Sequence, residues 1–570
     1  MSTTTAANGF TNYPPAQLAS VPESAKTYTT PPQKNPTLKG LPLTLLSHVI
    51  SAIGPLQTVL WKNAGFGVVA EVERSGGLER YEVNHDPTVL PVKAEGEGEG
   101  GYRIVAPERQ DPSTKPVFYS AGDFIAAYKE GTTTPLVVAE RILQLLENDA
   151  ALRRIFITPT PREELLANAR ESTERYAAGT PRALEGVPFV VKDEVDVAGF
   201  PKTMGMAADV AAQRIGGPAE ETTSSVKPFL EAGVLFLGKS SMHELGLDTT
   251  NNNPNWGTPP NPYNAGYYPG GSSGGSGAAV GAGLVPIAVG ADGGGSIRVP
   301  ASYCGVYGLK PTHGRIDISP TLSLAPSVGV VGPITATAKD LRLAYHAMSR
   351  TPPSPSPPSS EKLKFGIYKP WFDDCTPVVH NLVTAAIETL QNPIIQVPAF
   401  PYLSESRTAH AVTILNDIGN VFCRGDASGL TPANRVLISV SRKTTPADIA
   451  AAGKLRQLLM SHLSALWEEH PDMVIVTPTT PHSGVRIVPG TEVRGGAGVS
   501  DANSSLRSMQ YVWMANWTGC PAVSVPVGYD EEGVPVGLMA MGRWGAEEAL
   551  VALAERWERF RIVTVNAVPV

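Results

Sequence analysis

Short apolar runs alternate with helical patterns through most of the chain after residue 120. Residues 135–148 place Val138, Ile142 and Leu145 three or four positions apart, the spacing of one face of a helix. Residues 187–191 and 234–237 are continuous apolar runs typical of buried strands. This alternation favours an α/β fold with a central sheet. The predicted helices are 121–128, 135–148, 163–178 and 278–284, and the predicted strands are 187–191, 234–237, 285–289, 363–368, 473–476, 522–527 and 536–538.

The first 115 residues have a different pattern and are predicted to be an N-terminal extension of a body that spans residues 116–570. Residues 1–37 are rich in Thr, Pro, Ala and Ser, and we expect them to be extended or partly disordered. The leucines and isoleucines of residues 43–53 predict an amphipathic helix. We expect this helix to pack against its own protein; a contact in a homodimer and a membrane surface are the alternatives.

The rest of the extension predicts a hairpin and a flexible segment. Residues 67–72 and 78–83 are β-like runs on either side of Ser-Gly-Gly, which predicts a β-hairpin. Residues 95–101 alternate Glu and Gly and predict a flexible stretch. The apolar stretch 41–61 is interrupted by polar residues, Gly and Pro, so no membrane span is expected.

Composition and charge narrow the classes of function. The 570-residue chain is 42% apolar and 17% charged, with a formal net charge of −7. No basic block stands out, which argues against nucleic acid as a partner. The four cysteines are scattered and form no CxxC pair, so neither a disulfide framework nor a zinc site is expected. A reduced, cytoplasmic setting is the simplest interpretation, and the N-terminus lacks the pattern of a secretory signal.

Three segments far apart in the chain carry residues suited to acyl transfer. Residues 270–276 and 292–298 are glycine-rich and contain Ser272 and Ser296, and Lys192 follows an apolar run. A serine hydroxyl becomes a good nucleophile only when a neighbouring base takes its proton. A lysine can be that base if burial keeps it neutral. Glycine backbone can offer unobstructed N–H groups to a developing oxyanion.

On these residues the chain resembles the amidase signature family of serine hydrolases, from about residue 118 to about residue 560. Ser272 and Ser296 are 24 positions apart, as are the two serines of that family. The resemblance implies an α/β/α layered fold around a central mixed β-sheet. It also makes the Pro- and Ser-rich residues 351–360 a surface insertion rather than a domain boundary. Weaker matches lie at 238–244, 257–262, 308–312, 477–481 and 537–543.

The resemblance assigns a catalytic role to each residue of the site. Ser296 would be the nucleophile and Lys192 the general base. Ser272 would pass protons between them, with a cis peptide bond before it. Relatives often have a β-branched residue at the first position of the oxyanion loop, where this chain has glycine. The oxyanion hole would be made by the N–H groups of Gly293, Gly294, Gly295 and Ser296.

Four further residues are expected to support this machinery. We predict that Asp292 and Arg298 form an ion pair that holds the nucleophile loop in shape, with substrate binding by Arg298 as the alternative. Ser273 is expected to be structural or to contact substrate. A carboxylate beside Lys192 would raise the pKa of that lysine, so Glu194 is expected to point away.

The predicted reaction is hydrolysis of a carboxylic amide, giving a carboxylate and ammonia or an amine. Neither a metal nor a cofactor is implied. Ester or carbamate hydrolysis and acyl transfer to an amine use the same acyl-enzyme and stay open, as does an amidotransferase subunit with a partner chain. An aryl or medium-chain acyl group would suit an apolar pocket, although a place in the core is the alternative for its candidate residues. These candidates are Met206, Trp256, Tyr303 and Trp513.

One segment imitates a nucleotide-binding motif. Residues 233–240 fit the phosphate-loop pattern GxxxxGK[ST]. The four variable residues are Val, Leu, Phe and Leu, which predict the inside of a strand, whereas a phosphate cradle needs an exposed loop. We therefore expect no nucleotide at this segment.

Overall fold

The computed structural model describes residues 9–19, 28, 35–92, 102–110, 118–354 and 359–558. The strands are β1 Phe10–Thr11, β2 Leu38–Lys39, β3 Leu90–Pro91, β4 Phe156–Pro159, β5 Pro188–Lys192, β6 Leu235–Ser240, β7 Ile287–Asp292, β8 Tyr307–Lys310, β9 Val330–Thr335, β10 Lys364–Ile367, β11 Ile394–Gln396, β12 Met473–Pro478, β13 Val499–Ser500, β14 Ala522–Tyr529 and β15 Pro535–Met541.

The helices surround these strands. They are α1 Gly40–Ala52, α2 Gly54–Asn63, α3 Val68–Arg74, α4 Ala121–Glu130, α5 Pro135–Asn148, α6 Ala150–Arg153, α7 Arg162–Ala177, α8 Ala208–Arg214, α9 Lys227–Glu231, α10 Gly274–Gly281, α11 Arg298–Tyr303, α12 Ala338–Ser349, α13 Lys369–Phe372, α14 Pro377–Leu390, α15 Leu403–Asn416, α16 Pro432–Ser441, α17 Pro446–Glu469, α18 Ala502–Ser508, α19 Trp513–Thr518 and α20 Glu547–Glu558. Short 3₁₀ turns lie at Glu244–Gly246 and Ser360–Lys362, and a π-helical turn at Asp417–Phe422.

One 11-stranded sheet organises the molecule, in the order β11-β10-β12-β15-β14-β8-β9-β7-β5-β6-β4. The pairs β5–β6, β5–β7, β10–β11 and β10–β12 are parallel, and the other neighbours are antiparallel. The sheet is therefore mixed, which confirms the predicted α/β fold. All residues of β5 and β7 are buried, as expected for strands that read as unbroken apolar runs.

Small residues let one helix approach the sheet closely. Helix α10 consists of Gly, Ser, Ala and Val, is wholly buried, and contacts β5, β7 and α11. A Cβ atom at Gly277 would lie 2.9 Å from the Cβ of Pro300 in α11, so a larger residue would push the two helices apart. The loop that contains Ser272 enters this helix, and the close packing fixes where that serine stands.

The N-terminal segment packs on the body through helices. Helix α1 covers most of the predicted helix 43–53, and α1 and α2 contact α16. The predicted hairpin is wrong, because residues 68–74 form α3 and residues 75–80 form turns. Val69 and Val72 of α3 are buried, and α3 contacts α15 and α17. Residues three positions apart face the same partner in a helix but not in a strand, and burial against those helices decides the conformation.

Other predictions for the N-terminal region fall where little is described. Residues 95–101 and most of residues 1–34 lie outside the described residues. Within the proline-rich segment, residues 351–354 and 359–360 are exposed or half-buried, and residues 355–358 are outside the described part.

The outward face of α1 and α2 is apolar. In the described chain no single helix has the length and apolar character to cross a membrane; α1 and α2 meet those criteria only as a pair bent by 110°. Six aliphatic side chains within residues 41–59 are 40–69% exposed: Leu41, Leu45, Leu46, Val49, Ile53 and Val59.

Candidate active site

The three candidate catalytic residues meet where two neighbouring parallel strands end. Lys192 is the last residue of β5, and Asp292 is the last residue of β7, which pairs with β5. Ser296 lies four residues beyond Asp292, in the loop that leads into α11, and Ser272 precedes α10. The carboxyl ends of parallel strands with helices behind them form a natural crevice for ligands. The fold therefore brings together three segments that lie far apart in the sequence.

Lys192 is buried, and its amine is held by oxygen acceptors. Its Nζ donates to Ser272 Oγ at 2.9 Å and to the carbonyl oxygen of Ala291 at 3.2 Å. Burial lowers the pKa of Lys192 below the ordinary lysine value, while the charges of Glu194 and Asp292 act in the opposite direction. The net direction favours the neutral amine that a general base needs.

Glu194 was expected to point away from Lys192, but it points toward that lysine. Its Oε1 lies 3.5 Å from Lys192 Nζ, and its side chain is 14% exposed. Glu194 also lines the cavity into which Lys192 and Ser272 face. A carboxylate that turns into this cavity meets the N–H groups of the Lys192 amine, which offset part of its desolvation cost.

Ser272 and Ser296 line the same small cavity, with a volume of about 50 Å³. The peptide bond between Gly271 and Ser272 is cis. The two loops are joined directly, because Ser273 N–H donates to the carbonyl oxygen of Ser296 at 3.2 Å. Among the hydrogen bonds of the described residues, none joins the hydroxyls of Ser272 and Ser296.

A buried ion pair shapes the loop that contains Ser296. Arg298 donates to both carboxylate oxygens of Asp292, from Nε at 3.0 Å and from Nη2 at 3.1 Å. Burial alone would raise the pKa of Asp292, but the charge and hydrogen bonds of Arg298 outweigh it and hold that pKa well below its usual range. Arg298 also donates to Asn516 Oδ1, so all its contacts lie inside the protein.

One predicted oxyanion donor is already engaged. The N–H of Gly295 donates to Asp292 Oδ1 at 2.6 Å and therefore points at the carboxylate. This bond does not fit the prediction that the Gly295 N–H is an oxyanion donor. Gly295 has a φ of +113°, a conformation that favours glycine. In the described residues, the N–H groups of Gly293, Gly294 and Ser296 have no hydrogen-bond acceptor. These three donors remain for a ligand oxygen.

A second, larger cavity opens on the other side of Ser296. Its volume is about 190 Å³, and Ser296, Gly294 and His243 border it. Ser296, Gly246 and Ile414 line both cavities, so Ser296 stands where they meet. The larger cavity is mainly apolar, and its wall comes from α1, α2, α15, α16 and the segment around α18. Representative lining residues are Ile50, Leu60, Phe66, Leu415, Leu437 and Met509.

The residues predicted for the pocket lie elsewhere. Met206, Tyr303 and Trp513 are buried in the core, and neither cavity is lined by them or by Trp256. Trp256 donates from its indole nitrogen to the carbonyl oxygen of Met206 at 2.8 Å. A place in the core, which was the alternative, fits Met206, Tyr303 and Trp513, whereas Trp256 is half-buried.

Ser273 and His410 hold the backbone around the site. Ser273 Oγ donates to the carbonyl oxygen of Ala291 at 3.1 Å, which ties the start of α10 to β7. His410 Nε2 lies 2.8 Å from the carbonyl oxygen of Gly293. His410 has no signature in the sequence, since a lone histidine within a helix carries no local motif.

Comparison with known proteins places the chain in a family. The Amidase family profile matches residues 155–551. A fatty acid amide hydrolase from Arabidopsis thaliana is 34% identical over 80% of this chain and 78% of its own length. One component of a glutamyl-tRNA(Gln) amidotransferase, from Methylococcus capsulatus, is 31% identical over 71% of this chain and 89% of its own length.

Solved structures agree with this assignment. A crystal structure of an amidase covers 78% of this chain and 100% of its own, with 25% identity and a TM-score of 0.67. A bacterial aryl acylamidase of the amidase signature family, at 23% identity and a TM-score of 0.66, shares the fold over 78% of this chain and 97% of its own. The predicted layered fold and family are thus confirmed, and the chain belongs to the amidase family and is an enzyme that hydrolyses amides.

Proposed function

We propose that the protein hydrolyses amides of long, apolar acyl groups through an acyl-enzyme on Ser296, with Ser272 as proton shuttle and Lys192 as base. The observation that carries this proposal is the 2.9 Å contact between Lys192 Nζ and Ser272 Oγ, inside a buried cavity that Ser296 also lines. A lysine in this position can act on a serine hydroxyl without a histidine.

The proton path follows from these contacts. Neutral Lys192 takes the proton of Ser272, and Ser272 Oγ takes the proton of Ser296 as Ser296 Oγ attacks the amide carbonyl. This step needs the Ser296 hydroxyl to turn toward Ser272, and catalytic hydrogen bonds often tighten only when substrate is bound. Ser272 then gives its proton to the leaving nitrogen and takes back a proton from the protonated Lys192. Water attacks the acyl-enzyme along the same path and releases the carboxylate.

The unpaired N–H groups of the loop would stabilise the tetrahedral intermediate. Negative charge develops on the carbonyl oxygen when Ser296 attacks. The N–H groups of Gly294 and Ser296 border the larger cavity and have no acceptor of their own in the described part of the chain. Such preorganised donors are worth about 3–4 kcal/mol each in acyl-transfer enzymes.

The larger cavity supports a long acyl group. It starts at Ser296 and is walled by aliphatic and aromatic side chains. Each methylene that leaves water for such a wall contributes roughly 0.8 kcal/mol of binding. Two helices that line it, α1 and α2, also present exposed aliphatic side chains outside. The similarity to proteins named fatty acid amide hydrolases points to the same substrate class.

A chain-length series with the purified protein tests the proposal. Amides with acyl groups of 2, 6, 12 and 16 carbons would be compared by amine release, with the matching esters and a carbamate alongside. We expect kcat/KM to rise with acyl length. A higher rate on esters of every length would replace amide hydrolysis with esterase activity, and amine release only with an added partner chain would favour an amidotransferase subunit.

The role of Ser296 has a separate test. Ser296→Ala should abolish turnover and covalent labelling by a fluorophosphonate. Ser323→Ala is the matched control, because Ser323 lines the same small cavity but has no place in the proton path. Labelling of the Ser296→Ala variant at the wild-type rate would remove Ser296 from the mechanism.

A further inference from the structure

The glycine loop before Ser296 receives a hydrogen bond from a helix 117 residues further along the chain. His410, on α15, lies with Nε2 2.8 Å from the carbonyl oxygen of Gly293. A carbonyl oxygen can only accept, so Nε2 carries the ring proton. Nδ1 is buried and has no hydrogen-bond partner among the described residues, and burial lowers the pKa of His410 to about 4. The ring is therefore neutral near pH 7, with its donor on Gly293.

This bond also fixes the direction of the next N–H. The carbonyl of Gly293 and the N–H of Gly294 belong to one planar peptide unit, in which they point in opposite directions. A carbonyl turned toward His410 sends the Gly294 N–H to the opposite side. That N–H has no acceptor in the described residues, and Gly294 borders the larger cavity. Buried N–H groups without an acceptor are rare in folded proteins, which points to a ligand oxygen as the partner of this donor.

The loop needs such support from outside. Gly293, Gly294 and Gly295 follow one another, and three glycines have more conformational freedom than any other tripeptide. The His410 ring also closes the space beside the loop: a Cβ atom at Gly294 would lie 2.9 Å from His410 Cε1. Trp517 packs edge-on against the same ring, with 6.1 Å between ring centroids. The ring is thus held by a contact with Trp517 as well as by its contact with the loop.

We propose that His410 is a positioning residue of the oxyanion site: its Nε2–H holds the carbonyl of Gly293 and so aims the N–H of Gly294 at the reacting carbonyl oxygen. The inference rests on the proposed hydrolysis at Ser296. Because the tetrahedral oxygen exists only after attack, His410 acts on the rate of the chemical step more than on substrate binding.

Two substitutions separate the effect of the Nε2–H donor from the effect of the ring's volume. His410→Phe keeps a ring and removes the donor, whereas His410→Gln can place its amide N–H near the position of Nε2. We expect kcat to fall about 30- to 100-fold in His410→Phe, with KM within threefold, since loss of an oxyanion donor costs about 10²- to 10³-fold and here the donor is misaimed rather than removed. His410→Gln should recover most of kcat. The rate of fluorophosphonate labelling should follow kcat.

His462 is the matched control. It is another buried histidine, on α17, and burial lowers its pKa to about 4. His462→Phe should lower the melting temperature like His410→Phe but leave kcat within twofold. A kcat near wild type in His410→Phe, an equal loss in His462→Phe, or a loss expressed only in KM would each overturn the inference.

If His410→Phe does not fold, a comparison of His410→Asn with His410→Gln tests the positioning role. His410→Asn reaches the position of Nδ1, where the structure offers no acceptor, so it should lose kcat while His410→Gln keeps it. Equal kcat values in this pair would refute the role. The wild-type chain is assayed first: no amide turnover there refutes the proposed function, whereas wild-type turnover with active His410 variants refutes only the positioning role.

Discussion

Two regions that meet at Ser296 differ in their chemistry: one is polar and hydrogen-bonded, and the other is apolar. We call the first the catalytic floor: Lys192, Ser272, Asp292 and Arg298, all buried and all hydrogen-bonded to one another or to backbone. The second is the acyl cavity, the larger space with its aliphatic wall. The floor lies wholly within residues 155–551, which match the family profile. Part of the acyl cavity comes from α1, α2 and Phe66, outside that match.

The two regions therefore differ in how many amino-acid substitutions they tolerate. A buried charged or polar group needs its partner, so one change in the floor leaves the other group unpaired at a cost of several kcal/mol. The wall of an apolar cavity is fixed only by volume and shape, and its substitutions act in small steps. We therefore expect all-or-none effects in the floor and graded, chain-length-dependent effects in the acyl cavity.

The largest expected effect is in the floor. Lys192→Met removes the proposed base and should lower kcat/KM about 10³-fold, within the range for general-base catalysis. The proposed mechanism needs the neutral amine, so wild-type kcat/KM should fall as pH drops through the pKa of Lys192. Because burial lowers that pKa, this acidic limb should lie below the ordinary lysine range. A pH–rate profile measures both effects.

Lys239 provides the control for that profile. It is also buried, and its Nζ donates to the carbonyl oxygen of Asp193 rather than to a serine. Lys239→Met should lose thermal stability yet keep the wild-type acidic limb. If both lysine variants lose the limb together, the pH dependence does not report on Lys192.

A substitution in the acyl cavity should act by substrate length. Ile50 of α1 lines the cavity, and Ile50→Trp would fill space equivalent to about three or four methylenes. At roughly 0.8 kcal/mol each, the loss is about 2.4–3.2 kcal/mol, or about 50- to 200-fold in kcat/KM for a 16-carbon amide. An acetyl amide should react as before. Leu45→Trp, on the exposed face of the same helix, should change neither substrate.

A substitution of Glu194 should have an effect between the all-or-none and the graded ones: it should change the pH profile alone. The charged groups that face Lys192 are Glu194 and Asp292, with His243 also close enough to interact. Glu194 raises the pKa of Lys192, so Glu194→Gln should lower it, and the neutral base should persist to lower pH. We expect the acidic limb of kcat/KM to move to lower pH. At pH values on the wild-type limb kcat/KM should rise several-fold, and the plateau at higher pH should not change. A limb that stays in place would mean that Glu194 and Lys192 do not interact.

The sequence predicted the Asp292–Arg298 pair because its constraints are local, whereas the meeting of Lys192 with Ser272 followed only from the family resemblance. Ser296 and Arg298 occur together in one glycine-rich segment, and the backbone bonds of Asp292 explain why that segment must be short and glycine-rich. The sheet was predicted for a similar reason, since β5 and β7 are unbroken apolar runs whose burial leaves one conformation. The orientation of Glu194 was wrong, because a contact across the cavity has no signature in sequence.

The acyl cavity could not be predicted in the same way. Its wall joins Ile50 and Leu60 to Leu437 and Met509, far along the chain, and apolar residues at such separations carry no shared pattern. The predicted hairpin at residues 67–83 failed for the same reason. Val69 and Val72 fit a strand as well as a helix until the helices they pack against are known. Large aromatic residues near the motifs were a poor guide to the pocket, because a buried tryptophan most often fills core.

The smallest expected effect tests that last point. Trp256 was predicted to line the pocket, but its indole N–H is bound to Met206 and its ring lies under Arg494. Trp256→Phe should therefore leave kcat/KM within twofold for every acyl length and cost about 1 kcal/mol of stability through the lost hydrogen bond. Thermal unfolding and the chain-length series measure the two quantities. A selective loss on long acyl amides, as in Ile50→Trp, would instead place Trp256 on the substrate path and extend the acyl cavity beyond its present wall.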